Sequence, residues 1–224
     1  MSGLDCYRQA LANGDFAAKL AAEAPGQRLL TDAERRDSLQ HFLAERPEGD
    51  VWVFAYGSLI WNPTIRSVER RVARVEGWHR SFSLTSPHGR GSPELPGLVL
   101  ALEAGGSCGG VALRLDEADV IPELDLLWRR EMVTAAYLPR WVDLYDTDDE
   151  RFGAGLAFIV DTDGANYAGG LPRKDLVQRL ATARGSLGSS ADYLFQTRDG
   201  LRAYGIPDPT IEQLADDVAG VLGR

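Results

Sequence analysis

The first 50 residues have few β-branched side chains and a pattern of polar and apolar positions typical of helices. Thr31-Asp32-Ala33-Glu34 has the form of a capping box, in which the threonine hydroxyl and the glutamate carboxylate each satisfy a free N–H group at the start of a helix. The helix is expected to end before Pro47 and to bury three apolar side chains, Leu39, Phe42 and Leu43. We therefore predict that residues 1–50 form a helical N-terminal extension packed on a main domain of residues 51–224.

From residue 51 onward the pattern changes to that of short strands. Residues 51–56 form a nearly continuous apolar run that ends at Gly57, which is typical of a buried strand. Further strands are predicted at residues 70–78, 81–85, 98–102, 110–115, 141–145 and 155–160. Two hairpins are expected, one around Gly105-Gly106-Ser107 and one around the acidic stretch 146–150.

One helix is predicted within this β-rich region, from about Asp119 to Met132. Three more follow, at residues 172–184, 190–204 and 209–222. Each of the three begins at a capping residue or a proline, and two end at a glycine. Because strands with one inserted helix come first and helices follow, the order predicts an α+β fold rather than a regular β-α-β alternation.

Composition then narrows the classes of function. The 24 Lys and Arg residues are outnumbered by 33 Asp and Glu residues, and the net charge of −9 argues against nucleic acid or an anionic membrane surface as the main partner. The two cysteines and three histidines lack the spacing of a disulfide framework or a metal site. The sequence has neither the pattern of a signal peptide nor a stretch of about 18 apolar residues. We expect a cytoplasmic protein whose chemistry needs no metal, thiolate or histidine.

The segment that follows the first strand, from Tyr56 to Pro63, is the first candidate for chemistry. A glycine directly after a buried strand permits a sharp turn, so that successive N–H groups point into one concavity and bind a carboxylate or an oxyanion. Ser58 adds a hydroxyl group, and Tyr56 and Trp61 provide rigid walls. An ordinary tight turn with aromatic neighbours is the alternative, and the pattern alone does not distinguish the two.

The second candidate is a glutamate on the apolar face of the inserted helix. At about 100° per residue one stripe holds Val120, Ile121, Leu124, Leu127, Trp128 and Glu131. Four charged residues fall outside it and are expected to face water: Glu123, Asp125, Arg129 and Arg130. Burial raises the pKa of a carboxyl group, which makes it competent as a general acid and base near neutral pH. The alternative is a side chain at the helix end that reaches solvent or pairs with an arginine.

Other side chains are weaker candidates. Arg90 lies between two glycines, where its guanidinium group could reach a substrate carboxylate. Tyr137 and Tyr193 could donate hydroxyl groups to a pocket. A surface arginine and buried structural tyrosines are the more common roles of such residues, so the sequence pattern alone does not assign them to a site.

Several of these segments together resemble the ChaC-type γ-glutamylcyclotransferases, which act on glutathione. The resemblance begins with Val51-Trp52-Val53-Phe54-Ala55-Tyr56-Gly57-Ser58-Leu59-Ile60-Trp61-Asn62-Pro63. It continues at Arg90-Gly91-Ser92, Leu127-Trp128-Arg129-Arg130-Glu131-Met132, Tyr137-Leu138-Pro139-Arg140-Trp141 and Asp192-Tyr193-Leu194-Phe195. It covers about residues 51–218, and the combination is far more specific than any one motif.

The resemblance implies a fold, a reaction and a site. The fold would be a small mixed β-barrel with flanking helices, the γ-glutamylcyclotransferase-like fold. The reaction would be that of a cofactor-free lyase that converts glutathione to 5-oxoproline and cysteinylglycine, with Glu131 as the catalytic residue. The loop that holds the γ-glutamyl group corresponds to Ala55, Tyr56, Gly57, Ser58, Leu59 and Ile60. To these the matched motifs add Arg90, Tyr137 and Tyr193 as substrate-binding candidates. Family members usually carry glycine where this chain has Ala55.

This reaction would explain why the sequence shows no nucleophile motif. The α-amine of the γ-glutamyl group attacks its own γ-carbonyl, so the substrate supplies the nucleophile. Two alternatives remain open. One is a cyclotransferase for other γ-glutamyl amino acids or amines, and the other is a non-catalytic module that binds a γ-glutamyl metabolite and regulates a partner. The sequence does not identify any protein partner.

Overall fold

A computed structural model describes residues 3–224, and a closed mixed β-barrel lies at its centre. Within these residues the barrel strands are β1 (Trp52–Ala55), β2 (Glu69–Ser86), β3 (Gly97–Arg114), β4 (Tyr137–Tyr145) and β5 (Arg151–Val160). Their order around the barrel is β1-β3-β2-β4-β5, and β5 closes it by pairing parallel to β1. The β1–β3, β2–β3 and β4–β5 pairs are antiparallel. The predicted α+β class and mixed barrel are confirmed.

The strands β2 and β3 are long and continuous where the sequence pattern predicted four short strands. Gly105 and Gly106 have φ angles of 102° and 70° and lie opposite Gly77, where the register of the two strands shifts. The predicted hairpin turn at these glycines is therefore wrong. Glycines at positive φ occur in some β-bulges as well as in turns, and here the glycines bend one strand without ending it. The loop between the paired ends of β2 and β3 is residues 87–96.

The remaining elements follow the predicted order. The β4–β5 hairpin forms around residues 146–150 as expected. The helices of this part are α4 (Ser58–Trp61), α5 (Val120–Glu131), α6 (Arg173–Thr182), α7 (Ser190–Ala203) and α8 (Pro209–Leu222). Helix α6 ends earlier than predicted because Arg184–Gly185 (β6) pairs with Gly188–Ser189 (β7) in a small separate sheet.

Helix α5 packs its apolar side on the barrel, but its buried face is shifted from the predicted one. Trp128 is among the largest fully buried side chains, and its ring meets that of Phe158 edge-on at 5.6 Å. Glu123, expected to face water, is 4% exposed, whereas Ile121, expected to be buried, is 59% exposed. The reason is that an N-terminal helix covers the side of α5 that the barrel leaves open, and Arg8 of that helix pairs with Glu123.

The N-terminal residues form α1 (Gly3–Ala12), α2 (Asp15–Glu23) and α3 (Asp32–Ala44). The predicted capping box opens α3, with the Glu34 N–H donating to the Thr31 hydroxyl at 3.2 Å and the Thr31 N–H to the Glu34 carboxylate at 2.8 Å. The Phe42 ring stacks on that of Trp141 at 4.3 Å, so α3 packs directly on β4. None of the helices in residues 3–224 has the length and apolar content needed to cross a bilayer.

Candidate active site

The turn after β1 begins the site. All four residues of β1 are buried, and the chain turns at Gly57 into the single-turn helix α4. The N–H of Asn62 donates to the carbonyl of Ser58 at 2.8 Å and closes this turn. The Ser58 hydroxyl accepts a hydrogen bond from the Arg130 guanidinium at 2.7 Å, which ties the turn to the end of α5.

A small inner cavity of about 20 Å³ lies beside the turn, and its walls include three tyrosines. The Tyr56 hydroxyl donates to the carbonyl of Phe158 at 2.6 Å, and the Tyr137 hydroxyl donates to the carbonyl of Leu100 at 3.0 Å. Tyr193 comes from α7 and is 6% exposed. Burial is the first cause of a raised pKa at all three, and the Glu131 carboxylate raises each further. The three side chains are therefore neutral hydroxyl groups at neutral pH.

Glu131 lies where this inner cavity meets a larger outer one. The outer cavity measures about 170 Å³ and shares Ser58, Glu131, Tyr137 and Tyr193 with the inner cavity. The Glu131 side chain is 15% exposed, and its Oε1 is buried without a hydrogen-bond partner in the part of the chain that the structure describes. Arg130 Nε lies 2.9 Å from Oε1, which makes the two an ion pair. Burial raises the pKa of Glu131, and Arg130 opposes that shift.

Arg130 is a site residue that the sequence pattern does not indicate. It was expected to face water, but its side chain is only 9% exposed. It donates to the Ser58 and Thr64 hydroxyl groups and to the carbonyl of Asn62. Thr64 is itself buried at a φ of 64°, which is rare for a β-branched residue. No helical pattern signals Arg130, because residues 62–64, which cover it, come from a different part of the chain.

Arg90 reaches the outer cavity from the loop between β2 and β3. A Cβ atom at Gly91 would overlap the backbone N of Gly97, so the close approach of these two glycines fixes the base of the loop. The Ser190 hydroxyl donates to the carbonyl of Arg90 at 3.1 Å and holds the loop to the start of α7. The Arg90 guanidinium carbon lies 5.6 Å from the ring centre of Tyr193. Burial lowers the pKa of Arg90. The guanidinium group is thereby held beside the cavity.

The structure does not bring every predicted substrate-binding residue to a cavity wall. Ala55 and Ile60 are 0% and 5% exposed, and they belong to the hydrophobic core and not to the walls of either cavity. The strand and the single-turn helix direct these two side chains into the core while the turn between them faces the inner cavity. Tyr56, Gly57, Ser58 and Leu59 line the inner cavity.

The outer cavity also has a wall formed by the N-terminal helices, which the sequence pattern does not indicate. Tyr7, Phe16 and Leu20, from α1 and α2, line it together with Arg90 and Arg130. The sequence offers no signal for this, because an aromatic residue in an amphipathic helix is ordinarily a packing residue.

The arrangement suits a small molecule that carries carboxylates. Two guanidinium groups attract negative charge, neutral hydroxyl groups line the inner cavity, and a buried carboxyl group can accept and return a proton. Across residues 3–224, no group of three or more His, Cys, Asp and Glu side chains is arranged to hold a metal ion.

The chain is similar to known proteins of one family. A family model described as ChaC-like protein matches residues 51–220. The chain is 42% identical over 219 residues to the glutathione-specific γ-glutamylcyclotransferase of Escherichia coli, covering 97% of this chain and 94% of that protein. It is 32% identical over 183 residues to the human glutathione-specific γ-glutamylcyclotransferase 1, covering 79% of this chain and 82% of that protein. At 97% coverage, the match to the E. coli protein includes most of the N-terminal helices.

Solved structures show the same fold. A yeast γ-glutamylcyclotransferase specific to glutathione superposes with a TM-score of 0.70, covering 77% of this chain and 97% of that one, at 19% sequence identity. At this identity the likeness concerns the fold alone.

Proposed function

The chain belongs to the ChaC-like protein family, and on that premise we propose that it is a glutathione-specific γ-glutamylcyclotransferase. The reaction converts glutathione into 5-oxoproline and cysteinylglycine. The relatives that share 42% and 32% of their aligned residues with this chain carry that activity in their names, which supports the proposal. The observation that carries it is the Glu131 carboxylate, buried without a hydrogen bond to Oε1 among the described residues, at the junction of the two cavities.

The substrate is proposed to lie along the outer cavity. Its γ-glutamyl end rests against the Tyr56 to Leu59 turn, where the two cavities join, and the cysteinylglycine part extends into the outer cavity. The scissile amide then lies next to Glu131. Arg90 is placed to pair with a substrate carboxylate in the outer cavity, since a guanidinium group binds a carboxylate through two parallel hydrogen bonds.

The chemistry is an intramolecular acyl transfer. The α-amine nitrogen bonds to the γ-carbonyl carbon, and the amide C–N bond to cysteine breaks. The α-ammonium nitrogen loses two protons, one before it attacks and one as the ring amide forms. Glu131 takes the first and gives one to the departing nitrogen, a role worth roughly 10²–10⁴ in rate, and the released amine of cysteinylglycine takes up the other. Holding the substrate in a conformation that favours ring closure can contribute up to about 7–11 kcal/mol. The reaction needs no cofactor.

The environment of Glu131 fits both proton transfers. Burial raises its pKa and so brings the protonated and ionised forms closer in free energy near neutral pH, while Arg130 keeps the ionised form accessible. The backbone N–H groups of Gly57 to Leu59 are proposed to stabilise the negative charge that develops on the γ-carbonyl oxygen.

The test is the release of 5-oxoproline from glutathione by the purified protein, measured by mass spectrometry. Glu131→Gln is expected to abolish turnover, because glutamine cannot exchange the proton, while glutathione binding remains measurable by calorimetry. Glu150→Gln, on the exposed tip of the β4–β5 hairpin, is the control and should keep wild-type activity. A Glu131→Gln protein with most of the wild-type rate would contradict the assignment.

Two other outcomes separate the alternatives. Faster turnover of γ-glutamyl-alanine than of glutathione would indicate a cyclotransferase for other γ-glutamyl compounds. Binding of glutathione by the wild-type protein without product would indicate a regulatory module. We also propose a cytoplasmic location, because glutathione keeps thiols reduced in that compartment. The exclusion of nucleic acid as a partner stays a prediction from the net charge of −9.

A further inference from the structure

Helices α1 and α2 form one wall of the outer cavity. Tyr7 of α1 and Phe16 and Leu20 of α2 line it, and the rings of Tyr7 and Phe16 meet edge-on at 5.8 Å. Leu20 is 2% exposed, so this wall is packed and not loosely apposed. The wall stands outside residues 51–220, the part of the chain that the family model matches.

One side of the wall is anchored by Arg8. Its guanidinium group donates to both carboxylate oxygens of Glu123, at 2.6 and 2.7 Å, and to the carbonyl of Thr64 at 2.8 Å. The Glu123 carboxylate also accepts from the N–H of Arg66 at 2.9 Å. Arg130, the ion-pair partner of Glu131, donates to the Thr64 hydroxyl. Thr64 therefore contacts both Arg8, which anchors α1, and Arg130.

The other side is held by the end of α2. The Glu23 carboxylate accepts a hydrogen bond from the N–H of Gly89 at 3.1 Å. Gly89 precedes Arg90, so α2 contacts the loop that carries the second guanidinium group of the outer cavity. The helical pair thus joins the two elements that hold Arg90 and Arg130, and it closes the cavity between them.

The Tyr7 side chain lies among the charged groups of the site. The Arg130 guanidinium carbon lies 6.0 Å from its ring centre. Burial raises the pKa of Tyr7, and the Glu131 carboxylate raises it further. The positive charges of Arg130 and Arg90 lower it. The Tyr7 hydroxyl is therefore neutral at neutral pH, and Tyr7 lines the same cavity as Glu131.

We propose that Tyr7 is a substrate-binding residue that contacts the leaving half of the substrate, the dipeptide released when the γ-glutamyl ring closes. This inference rests on the proposed function, since it takes the γ-glutamyl group to lie against the turn after β1, beside Glu131. The dipeptide then extends from Glu131 into the outer cavity, where Arg90 meets its carboxylate and the Tyr7 hydroxyl bonds a polar group of its backbone. The N-terminal helices are thereby part of the active site.

Steady-state kinetics with glutathione test this proposal through Tyr7→Phe, which removes only the hydroxyl and keeps the ring contact with Phe16. Loss of one hydrogen bond is expected to raise KM roughly three- to tenfold and to leave kcat within about twofold. The control is Tyr204→Phe, whose hydroxyl accepts a bond from Arg70 on another side of the molecule. It should leave KM unchanged, and both variants should keep the wild-type melting temperature.

A second variant tests the wall. Phe16→Ala should raise KM in the same direction, provided that its melting temperature shows a folded chain. A Tyr7→Phe protein with unchanged KM would overturn the proposal, whether or not its kcat or its melting temperature falls.

Failure of the proposed function would be recognised separately. In that case the wild-type protein itself releases no 5-oxoproline from glutathione. Calorimetric titration of glutathione into wild-type and Tyr7→Phe proteins then decides the role of Tyr7, since equal Kd values would overturn it and a three- to tenfold weaker Kd would support it.

Discussion

A Cβ atom at Gly57 would lie 2.9 Å from the hydroxyl oxygen of Tyr193. The tyrosine has little room to yield, because its ring is held edge-on by Trp61 at 5.9 Å and by Phe82 at 6.0 Å. The turn after β1 and helix α7 therefore meet at one point of the inner cavity. This close approach requires a glycine at position 57, because any side chain there would overlap the Tyr193 hydroxyl.

From this contact we predict that Gly57→Val lowers activity more than Ser58→Ala. Valine forces the turn or Tyr193 to move, and a displacement of about 1 Å at the reacting group can cost 10²-fold in rate. Ser58→Ala removes one hydrogen bond from Arg130, an effect on the order of tenfold or less. The measurement is kcat/KM for glutathione, with Gly220→Val as the control because nothing lies within 4 Å of a Cβ there. The reverse order would show that the serine hydroxyl, and not the backbone of the turn, makes the important contact.

The second prediction concerns how Glu131 affects stability across pH. Its pKa is raised above the ordinary value of 4.5 because it is buried. The folded state therefore binds the Glu131 proton more tightly than the unfolded state does, and this proton binding stabilises the folded state. The stabilisation is complete below pH 4.5 and is lost as pH rises through the raised pKa. Glu131→Gln does not titrate. Its free energy of unfolding, relative to wild type, should accordingly increase from pH 4.5 upward and level off above the raised pKa.

Urea denaturation at a series of pH values measures this difference. Only the trend with pH tests the prediction, since the variant also changes the contact with Arg130 at every pH. Glu150→Gln serves as the reference for an exposed glutamate. A difference that stays flat, or that falls with increasing pH, would mean that Glu131 is not destabilised in its ionised form.

The third prediction concerns Arg90. Arg90→Gln should raise KM for glutathione by about 10- to 100-fold, the range for loss of a hydrogen bond to a charged group, with a smaller effect on kcat. Arg198→Gln is a matched control, because its guanidinium carbon also lies over an aromatic ring, 5.3 Å from Phe195, but does not line either cavity. If both variants keep the wild-type KM, Arg90 does not bind the substrate carboxylate.

The fourth prediction concerns the anchor of α1. The side chains of Arg8 and Glu123 are 14% and 5% exposed, and removing one partner of a buried ion pair leaves an uncompensated charge. Glu123→Ala should lower the free energy of unfolding by about 3–5 kcal/mol. The exposed pair of Arg46 and Glu117 gives the comparison, and Glu117→Ala should cost about 1 kcal/mol or less. Equal losses in urea denaturation would show that the α1 anchor contributes no more than a surface pair.

Much of the fold was accessible from local patterns. The capping box at Thr31, the buried run that ends at Gly57 and the helix boundaries at Pro209 and Leu222 all appear in the structure as predicted. These features are set by interactions between near neighbours, which the sequence displays directly. The hairpin turn predicted at Gly105 and Gly106 was wrong. Glycines with positive φ occur both in turns and in some β-bulges, and only the pairing with the neighbouring strand distinguishes the two.

The sequence by itself determined the α+β order of the elements, the turn at Gly57 and the glutamate that projects from the apolar side of α5. These depend on periodicity and on the few residues on either side. The tertiary structure alone decided that Arg130 is buried against Thr64, that Arg8 pairs with Glu123, and that Tyr7 lines the same cavity as Glu131. Burial and charge pairing depend on which distant segments cover a side chain, and no local pattern contains that information.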